Sequence, residues 1–251
     1  MLGRGLPFTV ASARSVLSMR GILGDLPLSL PVVCFNGGFI SDLRSGLHHQ
    51  VFSIPAEIAT AVWERARARD LVPIVSTTDG VRDDRVYISE GVNEGVRLYA
   101  EERKRAGDPR LRLGGAVDRG LDERVTCMTL IDRRSVLEPL AEAIHAEWGD
   151  ALAPHLFDDI YMVGWTWLTV HAGEASKERA VFSVMETHGM SNHRLVAFGD
   201  QENDLPLLKA ADHAVVVANA APSVLAVADE IIGANSDDAV VRWLMAEFDA
   251  H

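Results

Sequence analysis

Six consecutive residues, Gly199-Asp200-Gln201-Glu202-Asn203-Asp204, follow directly on the apolar run 195–198. Such a run, bounded by polar turn residues, reads as a buried strand of an α/β sheet. The C-terminal ends of strands in these sheets open on the crevice where ligands bind. Asp200, Asn203 and Asp204 stand no more than four positions apart, and together they offer hard oxygen ligands suited to Mg²⁺. The same residues also read as a capped turn, with Asp200 and Asn203 accepting from the N–H groups of the next helix.

Three further clusters carry candidate chemistry. Ser176-Lys177-Glu178 opens a helical pattern behind the strand-like run 165–171. A lysine at a helix N-terminus opposes the macrodipole unless an anion sits there too, so Lys177 is a candidate phosphate partner; the alternative is an exposed lysine. Ala11-Ser12-Ala13-Arg14 ends the short β-type run 8–11, and a hydroxyl with backbone N–H groups at a strand-to-helix turn can cradle phosphate or simply cap the helix. Asn36-Gly37-Gly38 ends the apolar run 31–35 and reads as a turn on the same sheet edge.

The elements that must position these residues alternate strand and helix in two stretches. Residues 8–40 hold two strand-turn units with a helix between, which implies parallel βαβ organisation. After residue 172 the alternation returns: a helix over 176–188, a strand at 195–198, a helix over 203–210, a strand at 214–217, then helices over 221–228 and 237–248. Between the two stretches, an amphipathic helix at 55–69 precedes strand-like runs at 72–76, 85–88, 124–131 and 161–171, with helices over 94–105 and 135–148. The expected architecture is a discontinuous α/β domain, residues 1–48 and 165–251, carrying an α+β insertion at 49–164.

Composition bounds the function. The 251 residues carry a formal charge of −12 with no basic stripe, which argues against nucleic acid as partner. An acidic protein that handles an anionic substrate must offset repulsion with a metal or a placed cation. Cys34 and Cys127 sit in apolar stretches and read as buried small hydrophobes. No signal peptide opens the chain and no apolar run reaches the ~20 residues a bilayer span needs, so the expected location is the cytoplasm. Oligomeric state is not written in these patterns.

In their order and placement the four clusters resemble the haloacid dehalogenase (HAD) superfamily, in its Cof-type, sugar-phosphatase-like branch with a large α+β cap. Ser12 with Arg14 resembles that family's Ser/Thr motif, Asn36-Gly37-Gly38 its Asn-Gly-Ala turn, and Ser176-Lys177 its lysine motif. Gly199-Asp200…Asn203-Asp204 resembles the metal motif, and Asn219-Ala220 the sequel to it. The resemblance implies a HAD-like Rossmannoid parallel sheet and a Mg²⁺-dependent phosphatase of a small phosphorylated metabolite, such as a sugar phosphate. It implies that Ser12, Arg14, Asn36, Lys177 and Asn203 handle phosphate, with Ser12 and Lys177 taking part in catalysis. Asp200 and Asp204 would serve the metal. A non-catalytic phosphate- and Mg²⁺-binding protein on the same scaffold is the alternative.

One family feature has no counterpart. The first motif, Asp-x-Asp-Gly-Thr, supplies the nucleophile from the first core strand, and no two aspartates here stand two positions apart. The pairs Asp83-Asp84, Asp158-Asp159 and Asp237-Asp238 are adjacent, which points their side chains to opposite sides of an extended backbone. Typical element lengths put the absent strand, loop and helix at about 30–40 residues ahead of the serine motif. Residues 1–7 read as the tail of that helix, and the expectation is a chain shortened at its N-terminus. Without the strand, two neighbouring edges are left unpaired unless they close up or something else fills the slot.

Overall fold

A computed structural model describes residues 5–24, 26–114, 117–159 and 162–249. Two compact units emerge, one of Met1–Gly46 with Ser176–His251 and one of Leu47–Ala175. The first crossing falls within two residues of the expected boundary. The second falls at 175/176 rather than 164/165, because residues 166–172 are a strand fully paired inside the second unit's sheet. Residues 1–4 and Tyr161, expected at a helix end and a strand start, lie outside the described residues.

The first unit opens with the extended segment 8–11. It was expected to be a strand, yet it forms a single parallel bridge, Ala11 to Val33. A regular strand needs a ladder, and here one neighbour offers only two backbone hydrogen bonds, Ser12 N to Val33 O and Val33 N to Val10 O, both 2.9 Å. Helix α1 (Val16–Leu23) follows, capped by Ser15, whose hydroxyl accepts from Ser18 N, and it buries Val16 and Met19. Strand β1 (Val32–Cys34) is wholly buried and turns through a 3₁₀ segment into β2 (Phe39–Ser41), its antiparallel partner.

The second unit runs from β3 (His48–Val51) through α2 (Ala56–Arg67), β4 (Ile74–Thr78), β5 (Asp84–Ile88), α3 (Glu94–Arg105), β6 (Leu111–Leu113), β7 (Arg124–Asp132), α4 (Arg134–Trp148) and β8 (Leu152–Asp158) to β9 (Thr166–Ala172). Its six-stranded sheet has the order β6-β5-β4-β7-β9-β8, antiparallel except for the β5–β6 pair. Period-two alternation sorts the two faces. Met128, Leu130, Leu168 and Val170 pack with Val62 of α2 and Leu137, Leu140 and Ile144 of α4. Ile74, Ile88 and Ile131 pack on the other face with Val96 of α3. Trp165 and Trp167 border this second cluster, so they pack the sheet. Strand β8, absent from the sequence reading, contains Pro154, which an edge strand tolerates because one side of its backbone needs no partner.

Back in the first unit, α5 (Lys177–Thr187) leads to β10 (Val196–Gly199), α6 (Leu205–Ala210), β11 (His213–Val217), α7 (Pro222–Leu225), β12 (Glu230–Ile232) and α8 (Ala239–Asp249). Strands β10, β11 and β12 form a parallel sheet in that order. One cluster unites Val33 and Ile40 with Val184 of α5, Ala197 of β10, Leu208 of α6 and Val216 of β11. Burying aliphatic side chains like these contributes about 1.5–3 kcal/mol each, which is what holds the two sheet pieces on α5. The pieces do not close up: segment 8–11 and β10 remain unpaired with one another.

Candidate active site

The serine turn, the exits of β1 and β10 and the start of α5 meet within the first unit. The serine turn is laced to β1's exit loop by Asn36 N donating to Ser12 O (3.0 Å) and Phe35 N donating to Arg14 O (3.1 Å). Asn203 Nδ2 donates to Asn36 Oδ1 at 2.9 Å across 167 positions of sequence, so the exits of β1 and β10 lie at one end of the unit. The loop between β1 and β2 rests directly on the start of α5. Gly37 has φ +101°, and a Cβ there would overlap the Ser176 backbone. Asn36 (φ 55°) and Phe35 (φ 49°) are left-handed. Asparagine tolerates this conformation, whereas a left-handed phenylalanine costs about 1–3 kcal/mol, strain that marks a position held by its surroundings.

Lys177 was open to two readings, phosphate partner or exposed lysine, and the structure bears on the second. It is 7% exposed, which removes the exposed-lysine alternative, and its Nζ donates to Asp204 Oδ1 at 2.6 Å. Ser176 caps α5 by accepting from Arg179 N, which fixes the first helical turn and the direction of the lysine.

Asp204 is also committed. Its Oδ2 accepts from the N–H groups of Asp200 and Gln201, each at 3.1 Å. The Gln201 side chain in turn accepts from Asp204 N, completing a capping box. The carboxylate folds back so closely over β10's last residue that a Cβ on Gly199 would sit 2.7 Å from Asp204 Cβ. With Lys177 and two backbone donors on its oxygens, Asp204 fixes the loop's geometry.

Asp200 differs. Its backbone carbonyl accepts from Ala221 N at 2.9 Å, which pins the residue. Its partly buried side chain makes no hydrogen bond or ion pair among the described residues. Ser12 Oγ accepts from Arg14 N at 3.2 Å and keeps its O–H to donate. Arg14 is exposed and joins the cluster through its backbone. Among the described residues, no three His, Cys, Asp or Glu side chains gather as a closed cage. An uncommitted carboxylate beside committed neighbours suits Mg²⁺, which keeps several waters and takes one or two protein carboxylates together with substrate oxygens.

The seven residues singled out in the sequence all stand on these turns. What holds the turns together was not read there: the Asn36–Asn203 bridge, the contact of Gly37 with α5, and the capping box. Only the last had a signal, the spacing of Gln201 and Asp204.

The model of a family described as haloacid dehalogenase-like hydrolase matches residues 2–244. The chain is 22% identical over 244 residues to 5-amino-6-(5-phospho-D-ribitylamino)uracil phosphatase YitU of Bacillus subtilis, covering 95% of this chain and 84% of that one. It superposes on a haloacid dehalogenase-like hydrolase from Bacteroides thetaiotaomicron with TM-score 0.76 at 20% identity, covering 97% and 87% of the two chains. It likewise superposes on the HAD subclass IIB sugar phosphatase BT4131 with TM-score 0.73 at 16% identity, covering 99% and 87%. Motif order, the geometry of the strand ends and the extent of the family match agree: the chain belongs to the haloacid dehalogenase-like hydrolases.

Proposed function

We propose that this corner is the phosphate- and Mg²⁺-binding centre of a phosphatase of small phosphorylated metabolites. The observation that carries the reading is the buried Lys177–Asp204 pair beside an uncommitted Asp200. In phosphoryl transfer, charge spreads over the three equatorial oxygens, and the protein contributes chiefly positioning and countercharge. Lys177 supplies a fixed positive charge, and the Ser12 hydroxyl donates to a phosphoryl oxygen. Asn36, Asn203 and Arg14 border the same turn cluster and complete the phosphate's surroundings. Mg²⁺, held by Asp200 with Asp204 in support, would add the charge that a protein of net charge −12 needs in order to accept a phosphate ester. YitU and BT4131 are by name phosphatases of a ribityl phosphate and of sugars, which points to a phosphorylated sugar or polyol as substrate. The cytoplasm is the compartment we infer, where the free thiols of Cys34 and Cys127 stay reduced.

One observation favours a second reading, binding without turnover: no two aspartates of these residues have the spacing of the family's nucleophile pair. Assay of the chain on a panel of sugar phosphates and p-nitrophenyl phosphate separates the two. Mg²⁺-dependent release of phosphate, lost in Asp200→Ala, supports the phosphatase. Mg²⁺-dependent binding with no release supports the second reading. Neither binding nor release would refute both.

A further inference from the structure

Asn219 stands exposed in the loop 218–221 between β11 and α7, yet its side chain makes two bonds to a single residue. Asn235 N donates to Asn219 Oδ1 at 3.0 Å, and Asn219 Nδ2 donates to Asn235 Oδ1 at 3.1 Å. A backbone N–H can only donate, so the Asn219 amide is fixed with its oxygen towards that N–H and its NH₂ towards the Asn235 side chain. Asn235 follows β12, and the clamp therefore ties the exit of β12 to the exit of β11.

The next bond along this loop reaches the site. Ala221 N donates to Asp200 O at 2.9 Å, which ties the exit of β11 to that of β10. Between Asn219 and Ala221 lies Ala220, buried in the unit's core, whose N–H closes a tight turn on Val217 O at 3.0 Å. Pro222 follows at the start of α7, where its ring fixes the backbone angle φ. Ser223 Oγ then donates to Glu202 Oε1 at 3.3 Å. Three parallel strands thus have their exit loops laced in series, from Asn235 through Asn219 and Ala221 to Asp200.

At Asp200 the backbone is held and the side chain is not. Its N–H donates to Asp204 Oδ2 and its C=O accepts from Ala221 N, while its carboxylate is uncommitted among the described residues. Those two anchors set the position from which the carboxylate projects. The first lies within its own loop. The second comes from a different loop, and it is only as firm as that loop. Hydrogen bonds open to water add little to stability, because solvent competes for the same groups. An exposed clamp of this kind is suited to fixing a position.

We propose that the Asn219–Asn235 clamp is a positioning device for the metal carboxylate: it holds loop 218–221 so that the Ala221 N–H fixes Asp200 for Mg²⁺. Asn219 acts through Ala221 and touches neither metal nor phosphate. The inference rests on the reading of Asp200 as a metal ligand. Groups that orient a metal ligand from behind are worth about ten- to a hundredfold in affinity, and an indirect link calls for the lower end.

The test reads metal affinity without turnover. Mn²⁺, which shares the preference of Mg²⁺ for octahedral oxygen ligands, is titrated into the full chain and followed by loss of its free-ion electron paramagnetic resonance signal. Asn219→Ala should weaken Mn²⁺ binding about tenfold and speed amide exchange at Ala221, with the urea midpoint unchanged. Asn235→Ala should weaken binding less, since its backbone N–H still reaches Asn219 Oδ1. The double variant should be no weaker than Asn219→Ala alone, as expected of two residues that act as one unit. Full affinity in Asn219→Ala would overturn the inference. So would a loss that Asn235→Ala does not share, by making Asn219 a direct contact, or one accompanied by a fallen urea midpoint, by making its role structural. Asp200→Ala separates the two levels. If it binds Mn²⁺ as tightly as the unaltered chain, or if neither binds, the metal-centre reading falls and this inference with it.

Discussion

Lys177 and His171 are both basic and both buried, one in each unit, and they meet burial in opposite ways. Lys177 is paired with Asp204, 2.6 Å away, at the end of a sheet where a neighbouring carboxylate is left uncommitted. His171 gives its charge up. It is 2% exposed, and burial, helped by the nearby His155, pushes its pKa down to about 3. Its Nε2 lies 3.6 Å from the Cys127 thiol, whose own pKa burial drives up to about 12. Its Nδ1 is buried without a hydrogen-bond partner among the described residues. A buried ion pair is expensive to desolvate and gives weak evidence of stabilisation, so its presence asks for another reason. A neutral histidine against a neutral thiol asks for none beyond packing. The strongly shifted pKa is thus explained by packing alone, and the informative group is the one held in a buried pair.

The sharpest break of this contrast is Lys177→Met, which leaves Asp204 buried without its cation. It should cost about 3–5 kcal/mol in urea unfolding, and the double variant with Asp204→Asn should cost less than the sum of the two singles. For His171 the lever is pH. Its folded pKa lies below the unfolded value near 6.5, so its contribution is intact above pH 6.5. It is lost as pH falls from there towards 3, at a limiting slope of about 1.4 kcal/mol per pH unit. His171→Leu should flatten that part of the stability profile, whereas Lys177→Met should leave it in place. Gly37→Ala forces a Cβ into the Ser176 backbone from a left-handed conformation. It should cost about 2 kcal/mol and weaken phosphate binding, because the loop that carries Asn36 must lift off α5. The smallest effect is Ser176→Ala, about 1 kcal/mol from the lost cap of α5, with the lysine's surroundings otherwise kept.

The sequence was most readable where one short stretch carried both element and chemistry. The apolar run into Gly199-Asp200 gave strand, crevice and metal-type oxygens together, and β10 stands one residue from its expected place. Lys177 was ambiguous because first-turn lysines are usually exposed, whereas this one is buried and pairs with Asp204 from a distant loop. Segment 8–11 has strand composition, but a strand exists through its partners and β1 supplies a single bridge. Pro154 and the histidine at 155 disguised β8, whose place at the sheet's edge makes both tolerable. With β8 unseen, β9 had no visible partner beyond β7, and the inserted unit's boundary fell about a strand too early. The Asn36–Asn203 bridge spans most of the chain, beyond any local pattern.

The central claim is that Asp200 and Lys177 serve one phosphate- and metal-binding centre. Calorimetric titration of ribose 5-phosphate into the chain, with Mg²⁺ and then with the metal chelated, addresses it most directly. Binding should be at least tenfold tighter with Mg²⁺, with that gain erased in Asp200→Ala while the variant still folds. Equal affinity with and without the metal, or an Asp200→Ala variant that keeps the Mg²⁺ gain, would contradict the account.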